Sequence, residues 1–310
     1  MSEIRSYLVP EGLAGQRVDA GVALMTGLSR TVCARIADEG GISSDSAGVL
    51  KRSERLQAGD ILNIALPEPE RITPHSSGTV LPILYEDEDI VIVDKPWTHA
   101  AHPSLNFEGP DVIGTLADMG VSLTGLGPQE RTGIVHRLDV GTSGCMVVAK
   151  SDLAYSVLKQ AFRDREVTKV YHALVQGHPD PLAGTIDAPI GRAQTKKWKM
   201  AVREDGRQAI THYETLEAMA GGTLLEVHLE TGRTHQIRVH MAAIGHPCVG
   251  DQIYGADPTL SAKLQLEHQW LHAYRLAFAH PRTGEHIEVE APYPPDLTES
   301  LEQLRDGVFR

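Results

Sequence analysis

The sequence predicts an α+β protein in which a small α+β module leads into a larger domain on a mixed, mainly antiparallel β-sheet. Short β-rich segments recur at 90–93, 145–149, 170–175 and 224–229, with few helical stretches such as 153–162 between them, and strands that outnumber helices point to this class. Pro67, Pro69, Pro74 and the polar run His75-Ser76-Ser77-Gly78 form the clearest break, because prolines so spaced block both helix and sheet. No period of roughly 20 to 50 residues repeats, which excludes solenoids and propellers. The expected organisation is a module at 1–70, a linker at 71–79 and a main domain at 80–310.

Within the module, Ser29 can cap a short helix whose apolar stripe is Val32, Cys33, Ile36 and Ala37, and Gly40 can end it. Arg30 and Arg35 then point away from that stripe. Residues 56–64 read as a turn entering a strand that alternates apolar with polar. The stretch 42–48 shows no strand followed by an Asn-Gly turn, and none is expected there.

With 310 residues, 41 % hydrophobic and 23 % charged, the chain matches an ordinary globular protein with a sizeable core. It has no early apolar run of signal-peptide length and nothing near the roughly 18 apolar residues that span a bilayer, so no membrane and a cytoplasmic location are expected. Cys33, Cys145 and Cys248 are isolated, which gives neither a disulfide framework nor a CxxC metal site. The net charge of -12 argues against a polyanionic partner. Its distribution does not: residues 131–240 hold 15 basic and 12 acidic groups, and every other block of the chain is net acidic. A nucleic-acid surface confined to one face is therefore allowed.

Chemistry concentrates in that block. The segment 133–144, Gly-Ile-Val-His-Arg-Leu-Asp-Val-Gly-Thr-Ser-Gly, places Asp139 in a charged loop among glycines that would let a substrate approach the backbone. The same residues also fit a surface Arg-Asp pair on a turn. In 224–241, Leu225, Val227 and Leu229 alternate with polar residues as a half-buried strand, and Thr231-Gly232 ends it. Thr234 can then cap a helix to Gly245 with Ile237, Met241 and Ile244 buried. Arg238 falls one position off that stripe, where its guanidinium can pair bidentately with a carboxylate. His235 and His240 are five apart and face different sides of a helix, unlike the i, i+4 pairs of zinc sites, so no metal is expected. Tyr171 shares a strand face with Ala173 and Val175, as a core tyrosine or a stacking platform. Arg192, Lys196, Lys197 and Lys199 surround Trp198, as a solvated loop or a surface that tracks an RNA backbone.

The two long segments carry "G.vHRLD..TSG" and "l.TGRTHQIRvH" nearly letter for letter and so resemble the RluA-type family of RNA pseudouridine synthases. The match extends through Asp94-Lys95-Pro96, Lys169-Val170-Tyr171, Gly245-His246-Pro247, Gly250-Asp251, Tyr254-Gly255, Leu271-His272-Ala273 and His280-Pro281. The first module resembles an S4-type RNA-binding domain through its arginine-led helix and the closing strand at 58–69, with a docking appendage as the alternative. Family resemblance implies that Asp139 is the catalytic aspartate, that Tyr171 lies against the target uracil and that Arg238 pairs with Asp139. RNA contacts are further expected from His136, Arg137, Arg30, Arg35, Lys196 and Lys197, with no cofactor and no obligate protein partner. The reaction breaks the bond between uracil N1 and ribose C1', turns the base and joins C5 to the same carbon. Each available route needs an ionised carboxylate, which an adjacent arginine favours. Length and the S4-like start most resemble members that modify large-subunit ribosomal RNA. A synthase acting on transfer RNA, a non-catalytic RNA-binding or ribosome assembly factor, and a histidine-rich metallohydrolase are the competing readings.

Overall fold

The computed structural model describes residues 3–28, 30–66, 78–104, 107–128, 131–194, 196 and 198–307. The chain divides into two compact units, Met1–Arg71 and Ile72–Arg310. Ser29, the prolines and polar run between 67 and 77, and Lys197 lie outside the described residues. Among the described residues no helix is long and apolar enough to cross a membrane.

The small unit comprises β1 (Glu3–Leu8), α1 (Val18–Thr26), α2 (Arg30–Asp38), β2 (Ile42–Ser44), β3 (Gly48–Val49) and β4 (Ile61–Leu66). Its strands form an antiparallel sheet in the order β1-β4-β2-β3. Val18 and Val22 of α1, Cys33, Ile36 and Ala37 of α2, and Ile42, Leu62 and Ile64 of the sheet share one buried cluster. The apolar spacing of α2 and the alternation of β4 thus meet in one core. The hairpin β2–β3 overturns the expectation of no strand at 42–48. Its turn is closed by Ser44 and Ser46, whose hydroxyls donate to the Asp60 carboxylate at 3.1 and 2.8 Å, in place of an Asn-Gly turn.

The large unit holds β5 (Ile83–Glu86), β6 (Ile90–Lys95), α3 (Val112–Asp118), β7 (Ser143–Ala149), α4 (Asp152–Asp164), β8 (Thr168–Gln176), β9 (Ala183–Asp187), β10 (Ile190–Arg192), β11 (Met200–Val202), β12 (Ile210–Met219), β13 (Gly222–Leu229), α5 (Gln236–Ala243), α6 (Pro258–Lys263), β14 (Leu271–Ala279), β15 (His286–Glu290) and α7 (Pro295–Arg305). Nine of these strands build one sheet in the order β5-β6-β7-β14-β8-β13-β12-β9, with β15 beside β14. Only the β7–β14 pairing is parallel, at His272 with Ser143 and Ala273 with Gly144. The sheet is therefore mixed and mainly antiparallel, as the segment pattern predicts.

Strands β6, β7 and β8 are covered on both faces, which explains the apolar runs of β6 and β7 and the burial of β8, where His172 alone interrupts the apolar residues 170–175. Val91, Val93, Met146, Val148, Tyr171, Ala173 and Val175 face one cluster, joined by Val227 and by Ile237 and Met241 of α5. Ile90, Ile92, Cys145 and Val147 face another with Ala154 and Leu158 of α4. Each fully buried aliphatic side chain here contributes roughly 1.5–3 kcal/mol. The first face, closed by α5, is the one from which Tyr171 reaches the candidate site.

Candidate active site

Residues 133–142 double back along β7 before entering it. Ile134 bridges Val148, the Val147 N–H donates to His136 Nε2 at 3.0 Å, and Leu138 is 4 % exposed in the core. Alternation therefore turns Asp139 out of the core into a cleft. The loop is pinned around it: Gln269 Nε2 donates to the Val140 carbonyl at 2.9 Å and Gly141 N–H donates to the Trp97 carbonyl at 2.8 Å. The glycines serve this packing. A Cβ on Gly144, at φ +109°, would lie 2.4 Å from the Ala273 carbonyl oxygen, and one on Gly141 would lie 2.5 Å from Gln269 Oε1.

Arg238 comes to this loop from α5. Its side chain is 3 % exposed and its Nη1 lies 3.6 Å from Asp139 Oδ2. The bidentate partner, however, is Asp251: Arg238 Nε donates to Oδ2 at 2.6 Å and Nη2 to Oδ1 at 2.9 Å. One edge of the fork is thus fixed by Asp251 and the remaining nitrogen is aimed at Asp139, a preorganised geometry that leaves the Asp139 oxygens open. Burial works against the charged guanidinium, yet the Asp251 bonds and the fields of Asp251 and Asp139 raise its pKa on balance.

The start of α5 differs from the expected cap. Thr234 is not the capping residue; His235 occupies that position with φ 57° and gives no side-chain cap bond. Gln236 orders the entry, its Oε1 accepting from the Arg233 N–H at 3.0 Å and from Thr231 Oγ1 at 2.8 Å. The helix ends at Ala243, and Ile244 is 37 % exposed where burial was expected. His235 faces the cleft with Nε2 3.9 Å from Asp139 Oδ2. His240 points elsewhere, to Thr211 Oγ1 and the Ala188 carbonyl, each at 2.9 Å.

Tyr171, 8 % exposed, lines the same cleft with Asp139, Arg137, His235, Arg238 and Leu271. Burial, and next the negative field of Asp139, push its phenol up, so it is a neutral ring beside the carboxylate. The cleft holds about 100 Å³ and adjoins a groove of about 430 Å³ lined by Arg137, Arg163, Arg165, Lys169, Arg233 and His136, with Glu230 its one carboxylate. Of these, Arg165 pairs with Glu230 at 3.3 Å. Arg137, Lys169 and Arg233 have no carboxylate partner among the described residues. His136 lies against Phe162 with ring centroids 4.6 Å apart, and burial depresses its pKa to about 3. A neutral imidazole whose Nε2 accepts from the backbone anchors the loop.

Sequence reading named Lys95 in the family match but gave it no role in the site. It is the last residue of β6, wholly buried, and its Nζ donates to the Pro96 and His99 carbonyls at 2.9 and 2.7 Å. Burial lowers it to about 7 against the opposing fields of Asp139 and Asp94; burial likewise raises Asp94 to about 6. The signal was present, because period two carries Val91 and Val93 on to Lys95 on the same inward face. Asp251 was equally readable as the partner that a buried arginine demands.

The remaining predicted contacts scatter. Arg30 binds Asp19 of α1 at 3.2 Å, so its charge is already engaged, whereas Arg35 is exposed and has no carboxylate partner among the described residues. Around Trp198, which is 60 % exposed, Lys196 lies 5.9 Å from the ring. Lys199 instead turns inward over Tyr254, 4.9 Å from its centroid.

Comparison with known proteins supplies the remaining finding. The sequence profile of the RNA pseudouridylate synthase family matches residues 90–243. An RNA pseudouridine synthase of Mycobacterium bovis is 56 % identical over 304 residues, which cover 97 % of this chain and 98 % of that protein. Ribosomal large subunit pseudouridine synthase D of Zymomonas mobilis is 38 % identical, covering 93 % of each chain. The solved structure of human RNA Pseudouridylate Synthase Domain Containing 1 superposes with a TM-score of 0.58 at 30 % identity, covering 72 % of this chain and 86 % of that one.

Proposed function

The chain belongs to the RluA-type family of RNA pseudouridine synthases, and on that premise we propose that it isomerises uridines of large-subunit ribosomal RNA, in the cytoplasm, with Asp139 as the catalytic carboxylate. The observation that carries this is the approach of Arg238 Nη1 to Asp139 Oδ2 at 3.6 Å, beside the Tyr171 ring in one cleft. A uridine within folded RNA cannot turn in place, so it is flipped out and held by stacking; Tyr171 offers the flat, uncharged face. Asp139 then lies where a reacting base and ribose would sit. The fixed guanidinium of Arg238 keeps its charge oriented without solvent reorganisation.

Arg137, Lys169 and Arg233, free of carboxylate partners among the described residues, give the adjoining groove the character of a phosphodiester track leading to the cleft. The small unit is read as an S4-like module in which Arg35 has no carboxylate partner among the described residues. The choice of large-subunit RNA rests on relatives bearing that name.

The test is release of tritium from RNA labelled at uridine C5. The expected outcome is release from large-subunit ribosomal RNA, and a map of pseudouridines from cells with and without the chain locates the position. Release from transfer RNA alone would move the substrate assignment, and release from no RNA would remove the functional one.

A further inference from the structure

Tyr254, between Asp251 and α6, touches three parts of the site at once. The Arg238 guanidinium lies over its ring at 5.0 Å from the centroid and the Lys199 ammonium at 4.9 Å. Its hydroxyl receives the Met200 N–H at 3.1 Å from the first residue of β11 and lies 2.8 Å from His235 Nδ1.

A backbone N–H can only donate, so Tyr254 Oη accepts from Met200, and its own hydrogen is available to donate to His235 Nδ1. Burial raises the Tyr254 phenol and lowers His235; the phenol therefore keeps its proton and the imidazole is neutral. The charges facing His235 are Asp139, Arg238, Asp251 and Arg137. A neutral imidazole that accepts at Nδ1 carries its hydrogen on Nε2, the nitrogen 3.9 Å from Asp139 Oδ2.

We propose that Tyr254 is a positioning residue for the isomerisation: it holds His235 in the tautomer whose Nε2–H faces Asp139, stacks on Arg238, and so ties the basic β10–β11 hairpin to the carboxylate. Residues on two separate stretches of chain, Met200 of β11 and the pair His235 and Arg238 at the start of α5, meet at one phenol. Movement of the hairpin on its Met200 anchor would be felt at Asp139 through two contacts. This rests on the reading of Asp139 as the catalytic group, although the tautomer does not.

The experiment is a long-range proton–nitrogen correlation spectrum of the full chain carrying nitrogen-15 histidine, recorded without RNA, together with steady-state tritium release by wild type and Tyr254→Phe. The expected spectrum of wild type has His235 protonated at Nε2, and in Y254F the ring shifts toward the Nδ1-protonated form. The expected kinetics are kcat lower by about tenfold, the scale of one lost hydrogen bond, with KM within about twofold. A wild-type ring protonated at Nδ1, or a Y254F chain with unchanged kcat, overturns the proposal. If Y254F does not fold, the wild-type spectrum decides alone. A wild-type chain inactive on every RNA would instead refute the functional reading and leave the tautomer to the spectrum.

Discussion

The small unit and the groove beside Asp139 both carry arginines, but they spend them differently. In the small unit Asp19, 7 % exposed, takes Arg17 at 3.0 Å and Arg30 at 3.2 Å, and Asp38 takes Arg52 at 3.3 Å. In the groove, Arg137, Lys169 and Arg233 line a concave surface with no carboxylate partner among the described residues. A phosphate gains most from a cation whose charge is not already met, since only then is a condensed counterion released without breaking an ion pair. The contrast explains how a chain of net charge -12 can serve a polyanionic substrate: what matters is where cations are left open, and a cluster of them lies next to the carboxylate.

The comparison breaks most sharply at Asp139. Asp139→Asn preserves shape and removes the charge; the expected loss in kcat is at least about a thousandfold, read by tritium release, with RNA affinity kept. Equal losses in affinity would make Asp139 part of the binding surface instead. Next in size is Arg238→Lys. An ammonium keeps the charge but cannot hold Asp251 with two bonds while presenting a third donor to Asp139. The expected result is kcat down by about ten- to a hundredfold and a lower midpoint of thermal unfolding, because Asp251 is left buried with a poorer partner. A Lys variant equal to wild type in both would show that the fork is dispensable.

Binding sharpens the contrast further. Removing Arg137 and Arg233 together should raise KM by about tenfold at low salt and flatten the dependence of log affinity on log salt by about two contacts' worth. Arg30→Ala should leave KM within about twofold and the slope unchanged, because its charge is engaged with Asp19. A steeper effect from Arg30 than from the groove pair would invert the comparison.

Much of the site was legible in the chain because its two long segments each bring one charged residue to a loop or helix end, and the alternation of β8 fixes Tyr171 beside Ala173 and Val175. The class of the sheet was legible for a similar reason: β6, β7 and β8 are short apolar runs that only a strand covered on both faces accounts for. What escaped depends on partners distant in sequence. Asp251 lies 13 residues beyond Arg238, outside any helical spacing. The hairpin β2–β3 has Ser44 and Ser46 where apolar alternation was sought, and the carboxylate that closes its turn is Asp60, 16 residues on from Ser44. Thr is a preferred helix cap and His is not, so Thr234 was the better local choice for a cap and the wrong one. The burial of His136 and the pairing of Arg30 with Asp19 were not legible either, because charge type is visible in a sequence whereas burial and ion pairing are not.

The smallest expected effect tests whether the large unit also uses the paired arrangement where no substrate is bound. Asp89, 3 % exposed at its side chain, takes Arg282 Nε at 2.6 Å and Nη2 at 2.7 Å, and accepts from Ser151 Oγ at 2.5 Å. The Arg282 bonds first, then the Ser151 hydroxyl, hold its pKa at about 2 against an ordinary 3.8. A carboxyl depressed in the folded state binds its proton less readily there than in the unfolded chain, so its contribution is complete above about pH 4 and fades as the pH falls toward 2. Arg282→Met should therefore lower the unfolding midpoint slightly and by a constant amount at neutral pH, with the gap to wild type closing between pH 4 and 2. The gap is small because Arg282 is 55 % exposed and water screens the pair. Turnover should not change, since this ion pair ties Asp89 to Ser151 at the start of α4 and to the turn between β14 and β15, away from the cleft. A gap that persists unchanged at pH 2 would assign the loss to packing of the Arg282 stem, and a drop in turnover would mean that the paired arginines, like the open ones, reach the chemistry.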